Sequence, residues 1–226
     1  NAFFIEGGAL AVENTLKTAF DWKVRKNIEK GLGDKKGFKI IHFKQSFHGR
    51  SGYTLSLTNT SDPRKTMYFP KFDWPRIDNP YLSFPITDDV IKDVKIKEDI
   101  AIEQIKEAIK LNPNDIAGMI IEPIQGEGGD NHFRKEFFFK LKELSIENEF
   151  LLIFDEVQTG IGITGKMWAH EHFQVDGHLI KPDMISFGKK TQVCGMLAGP
   201  RILEVEKNVF KESSRINSTF GGNLVD

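Results

Sequence analysis

The chain is 226 residues long, 39% hydrophobic and 28% charged, with 31 Lys and Arg against 32 Asp and Glu for a formal net charge of −1. Such a length and apolar content suffice for one packed core and exclude a disordered chain, while the charge balance offers no footprint for nucleic acid or an anionic membrane. A single cysteine, Cys194, excludes an internal disulfide framework and a cysteine-built zinc site, and no apolar run nears the roughly 20 residues of a membrane helix, so a cytoplasmic protein acting on small molecules is expected.

In chain order, Phe3-Phe4-Ile5 reads as a strand, and Val12, Leu16, Phe20, Val24 and Ile28, spaced by four, predict a helix that starts after Gly7-Gly8 and stops at Gly31 or Gly33. Phe38 to Phe43 reads as a strand, Gln45 to Gly52 as a loop, and residues 58–90, rich in Pro, Asp, Asn and Thr, as an irregular excursion. A second helix is expected from Asp99 to Leu111, ended by Asn112-Pro113. Strands at Ile116–Ile121, Phe150–Phe154 and Met184–Phe187, with a helix at Arg134–Asn148, predict an α/β domain whose largely parallel sheet is covered on both faces. Ligands of such sheets sit beyond the carboxyl ends of the strands, where Glu122, Asp155 and Lys189 fall.

Three features carry chemistry. Gly7-Gly8-Ala9, between a strand and a helix, is either a tight turn or a phosphate site built from free backbone N–H groups and the positive end of a helix. Asp155 ends a wholly apolar strand, where a carboxylate needs a partner: a turn that it caps, an arginine, or a protonated ring nitrogen. Lys189 ends another such strand; it is a solvated lysine like most, or one that loses its proton and forms a bond to a carbonyl carbon.

Asp155 with Gln158, the run Phe187-Gly188-Lys189, the helix start Glu6-Gly7-Gly8-Ala9-Leu10-Ala11-Val12-Glu13-Asn14 and the loop Ser46-Phe47-His48-Gly49-Arg50 together resemble the class III aminotransferases. The resemblance runs through all 226 residues, and it implies the large domain of a fold type I (aspartate aminotransferase-like) transferase that uses pyridoxal 5'-phosphate. Longer stretches, residues 47–60, 69–76, 122–130 and 187–195, look like the lysine 6-aminotransferase branch of the family. Departures are the segment 177–182, which looks longer than the family's loop, and Gly162-Ile163-Thr164-Gly165, which lacks an arginine common there.

What the resemblance implies can be carried over residue by residue. Gly8 and Ala9 would bind the cofactor phosphate, Phe47 would stack on the ring with His48 beside it, Asp155 would keep the ring nitrogen protonated, Gln158 would bond the ring hydroxyl and lie near the substrate, and Lys189 would hold the cofactor. Thr219 would reach the phosphate of a neighbouring subunit, implying a homodimer with shared sites, and Asn217 joins the substrate set. For L-lysine reacting at its terminal amine, Arg76 is the candidate anchor of the distal carboxylate, with pairing to Asp73 as the plain alternative. Glu127 would let one pocket serve both L-lysine and 2-oxoglutarate by engaging or releasing an arginine expected beyond Asp226. Both ends look cut inside structured regions, so the chain is expected to be a fragment, 1–226, lacking an N-terminal segment and a C-terminal small domain. The alternatives are another terminal-amine transaminase, of the 4-aminobutyrate or ornithine type, and a non-catalytic cofactor-binding fragment.

Overall fold

The structure, a computed structural model, describes residues 1–219 and 221. Its elements are β1 (Ala2–Ile5), α1 (Gly8–Glu29), β2 (Lys39–Phe43), α2 (Gly52–Leu57), β3 (Arg76–Ile77), α3 (Asp88–Leu111), β4 (Ile116–Ile121), β5 (Ile124–Gln125), β6 (Asn131–His132), α4 (Lys135–Glu147), β7 (Leu151–Asp155), β8 (Gln174–Val175), β9 (His178–Leu179), β10 (Met184–Phe187) and β11 (Cys194–Ala198). Seven strands form one sheet in the order β1-β11-β10-β7-β4-β2-β3. From β10 to β3 every pairing is parallel, and β11 is antiparallel to both its neighbours. Because two antiparallel steps restore direction, β1 points the same way as β10. Strands β1, β2, β4, β7 and β10 therefore all end on one side of the sheet.

Alternation along the strands divides the core. Leu151 and Ile153 of β7, with Ile120 of β4 and Ile40 of β2, face Val12, Leu16, Ala19 and Trp22 of α1. Leu152 and Phe154, with Met119, Ile121, Ile41 and Phe43, face Ile105 of α3 and Phe137, Phe138 and Leu141 of α4. Both faces being covered, the strands read as continuous apolar runs. The parallel, doubly covered sheet expected from the sequence is present.

Three elements depart from the sequence reading. The α1 stripe is not Val12 to Ile28: Ile28 is 52% exposed, and the buried face runs through Val12, Leu16, Ala19 and Trp22. Steps of four residues gain about 40° each on a 3.6-residue turn, so by Ile28 the row has swung roughly 160° from Val12. Helix α3 begins at Asp88, inside the stretch expected to be irregular. Thr87 caps it by accepting from Val90 N–H (3.3 Å), and Asp88 and Asp89 favour the positive end of the helix. Across 88–98 only Val94 and Glu98 are buried, which leaves a weak periodic signal. Finally, β8 and β9 form a hairpin at Asp176-Gly177, both at positive φ (50° and 77°), the Asp-Gly turn of a two-residue hairpin. The segment 177–182, flagged above as long, belongs to this hairpin and the chain just after it.

Candidate active site

A cavity of about 690 Å³ opens where the co-directed strands end; on its wall stand Gly8 and Ala9, Phe47 to Ser51, Lys65, Glu122, Glu127, Asp155, Val157, Gln158 and Lys189. Its floor is a buried hydrogen-bonded group. Asp155, the last residue of β7, accepts on Oδ1 from Ser186 Oγ (3.1 Å) and Val157 N–H (3.1 Å), while Oδ2 lies 2.7 Å from His48 Nδ1. A carboxylate only accepts, so Nδ1 carries the proton. His48 Nε2 is buried with no partner among the described residues. Glu122, one residue past β4 and so beside Asp155 in the paired strands, accepts Phe47 N–H on Oε1 at 2.8 Å. Burial, and then the neighbouring Asp155 carboxylate, hold its own carboxyl well above the usual range.

The start of α1 supplies the second wall. Gly7 stands before the helix at φ 83° with no side-chain cap, and the first turn holds no acidic residue, so its leading N–H groups are left for a ligand. The aromatic-bearing loop crosses it closely: a Cβ on Gly49 (φ 124°) would stand 2.7 Å from Ala9 Cβ and 2.6 Å from Thr54 Oγ1. A Cβ on Gly8 would press Val157 at 2.9 Å.

The two consecutive lysines part company. Lys189 has a left-handed backbone, φ 61°, an uncommon conformation for a non-glycine residue. Its Nζ donates to Gln158 Oε1 on the cavity wall. Lys190 does not line the cavity; its Nζ donates to the Gln158 carbonyl, and burial followed by the charge of Lys189 lowers its pKa. Gly8, Ala9, Phe47, His48, Asp155, Gln158 and Lys189 are thus brought together.

Arg76 is not with them. It lines a separate depression with Phe72, Trp74 and Gln104, and its Nη2 donates to the Ser56 carbonyl (3.1 Å). Edge strand β3 carries it away because only the carboxyl ends of the sheet's strands converge on the cavity, and Arg76 opens its strand opposite His42. Arg76, expected to anchor the distal carboxylate, is thus not among the residues that line this cavity, and it makes no ion pair with Asp73 among the described residues. The arginine on the wall is Arg50, which stood in the quoted loop without a role. Of three cations there, Lys65 is paired with Glu127 and Lys189 with Gln158, whereas Arg50 has no ion pair among the described residues. Asn217 and Thr219 do not line this cavity; between them Ser218 Oγ donates to Glu6 Oε2 (3.1 Å). Lys65, which sequence reasoning missed, pairs with Glu127.

Behind the floor, Glu156 faces away from the cavity and accepts from Thr159 Oγ1 (2.6 Å), Ala169 N–H (3.0 Å) and His170 N–H (3.0 Å), with His170 Nδ1 3.0 Å away. Burial pushes its pKa up, but these bonds outweigh burial and leave it lowered. Among the described residues no helix is long and apolar enough to cross a membrane, and no cluster of His, Cys, Asp and Glu could hold a metal.

The family profile described as Aminotransferase class-III matches residues 1–226. The L-lysine-epsilon aminotransferase of Mycobacterium tuberculosis is 54% identical over 224 residues, 99% of this chain and 48% of that protein. That of Streptomyces clavuligerus is 51% identical over 226 residues, 99% of this chain and 47% of that protein. A structure of lysine aminotransferase from M. tuberculosis in the internal aldimine form superposes with a TM-score of 0.91 at 54% identity, covering 97% of this chain and 48% of that one. The chain spans about half the length of the curated relatives it matches. It belongs to the class III aminotransferases.

Proposed function

We propose that this chain is the cofactor-binding large domain of a pyridoxal 5'-phosphate enzyme that transfers the terminal amino group of L-lysine to 2-oxoglutarate, giving 2-aminoadipate 6-semialdehyde and L-glutamate. The observation that carries the reading is the convergence on one cavity of Lys189, Asp155 and the uncapped start of α1.

The residues fit the cofactor. A phosphate suits the free N–H groups at Gly8 and Ala9, a planar ring suits the face of Phe47, and a buried carboxylate at the cavity floor suits a protonated ring nitrogen. Gln158 would meet the ring hydroxyl and Lys189 the carbonyl carbon. When bound, pyridoxal phosphate supplies an electron sink that allows an amino group to leave one carbon skeleton and join another.

The chain's own groups do the rest. Asp155 cannot swing away, since Ser186, Val157 and His48 hold both its oxygens, so its charge stays where a ring nitrogen's proton must be kept. Lys189 Nζ, once unprotonated, takes a proton from the substrate carbon and returns it as general base and acid. Glu122 fixes the backbone of Phe47 and so the height of the aromatic face. Arg50 takes the distal carboxylate, with Glu127 on the same wall.

In the same proposal the protein is a cytoplasmic homodimer. Thr219 and Asn217 then serve the partner's cavity, consistent with their absence from their own, and Tyr68 (93% exposed), Phe69 and Phe72 offer apolar surface for further chain to cover. The test is the full-length protein mixed with cofactor and L-lysine: the cofactor's long-wavelength absorbance is expected to bleach and to return on addition of 2-oxoglutarate. Bleaching with 4-aminobutyrate or ornithine but not L-lysine would move the donor to another class, and no bleaching with any amine would favour a binding fragment.

A further inference from the structure

We infer that Glu13 is a positioning residue for substrate binding: its buried carboxylate, reaching out from α1, fastens the chain just after Arg50 and so holds that arginine at the cavity wall for a substrate carboxylate. The inference rests on the proposal that Arg50 takes the distal carboxylate.

Glu13 stands in the second turn of α1 and is 8% exposed. Its Oε1 accepts from Ser51 Oγ at 3.2 Å and from Thr54 N–H at 3.3 Å. The second donor belongs to the first turn of α2, whose N–H groups find no acceptor within their own helix. A side chain of α1 thus does for α2 what a cap residue does. Gly52, between the two donors, lies so near that an added Cβ would stand 2.8 Å from the same oxygen. The tie therefore depends on close approach of the two segments.

Arg50 falls between two fastenings of the loop. Before it, Phe47 N–H is tied to Glu122 (2.8 Å), His48 N–H to Thr58 Oγ1 (3.0 Å), and Thr58 Oγ1 donates to the Gly49 carbonyl (2.6 Å). After it comes Ser51, held by Glu13; the other hydrogen bonds of Ser51 run to Thr54 and Leu55 in its own segment and tie it to no other element. The Arg50 side chain is exposed and has no ion pair among the described residues, so the backbone beneath it sets where the guanidinium stands. A binding group on a loose loop must be ordered as the ligand arrives, which lowers affinity, and a loop ordered beforehand spares that cost. The ligand in question is the carboxylate of an amino acid that reacts at its far end, or the second carboxylate of a 2-oxo diacid.

The experiment uses the full-length, cofactor-loaded protein and glutarate, a diacid with no reacting group, binding being measured by calorimetry. Glu13→Ala is expected to weaken binding about tenfold, the scale of ordering a short loop on binding. Glu13→Gln is expected to stay within about threefold of the parent, because its amide oxygen can accept both bonds. Glu13→Asp keeps the carboxylate but falls one methylene short; it is expected to be as weak as Glu13→Ala, and it stands in for that variant should the alanine form not fold. Unchanged binding in Glu13→Ala overturns the inference. So does parent-like binding in Glu13→Asp with loss in Glu13→Gln, which would mean that charge and not reach is what counts. Arg50→Ala tests the anchor separately: if it does not weaken glutarate binding, the anchor reading falls and this inference with it, whereas weakening there but not in Glu13→Ala brings down this inference alone.

Discussion

The floor and the rim of the cavity are built on different terms. On the floor Asp155, Ser186 and Glu122, at or just past strand ends, and His48, from the loop after β2, are at most 3% exposed and bound to one another or to backbone. On the rim the Lys65 and Glu127 side chains are 35% and 28% exposed and stand on a short 3-10 turn and a loop, and Arg50 is exposed outright. Strand register fixes the first set to one geometry; the second is held by single ion pairs that water weakens. Changes on the floor should therefore damage turnover, and changes on the rim should alter affinity.

The largest effect is expected at the floor. Asp155→Ala should cut turnover by about a thousandfold, since a preorganised charge is lost, while the cofactor is retained through the start of α1. Steady-state rates and cofactor content measure the two separately, and near-normal turnover would remove Asp155 from the mechanism. At the rim, Arg50→Ala should raise the KM for L-lysine and 2-oxoglutarate by roughly 30-fold or more with little change in kcat, the loss of one charge-assisted pair at about 2 kcal/mol or above. Arg76→Ala should leave KM within about threefold. The reverse ranking would restore Arg76 as anchor.

A smaller effect, on stability, comes from outside both regions. Glu98 is 8% exposed between α3 and α4, 3.1 Å from Arg134. Burial pushes its pKa up to about 7 in spite of that arginine. The folded chain then keeps a proton that the unfolded chain has lost, so stability falls as pH rises from about 4.5 to about 7 and is level above. Glu98→Gln should remove roughly 1–3 kcal/mol of that fall, read by denaturant unfolding at several pH values. An unaltered pH profile would show that Glu98 titrates alike in the folded and unfolded chain.

The floor was legible because its signals are continuous: apolar strands at 116–121, 150–154 and 184–187 end directly in Glu122, Asp155 and, after one glycine, Lys189. The rim was not. Arg76 and Arg50 both sit in family-like stretches, and no periodicity says that one opens an edge strand while the other follows the carboxyl end of β2. Lys65 and Glu127 meet across an excursion without a repeat to read. Strand β11 was also missed: Gly195 lies against the Phe3 carbonyl, where an added Cβ would be 2.3 Å away, and a glycine inside a short apolar run mimics a loop. The Asp176-Gly177 hairpin carried a turn signal that could have been used.

The most direct test of the account concerns the two lysines after Gly188. Borohydride reduction of the full-length, cofactor-loaded protein, followed by peptide mapping, should place the phosphopyridoxyl group on Lys189, whose Nζ faces the cavity, and leave unlabelled Lys190, whose Nζ is turned to the Gln158 carbonyl. Label on Lys190 with none on Lys189 would contradict it.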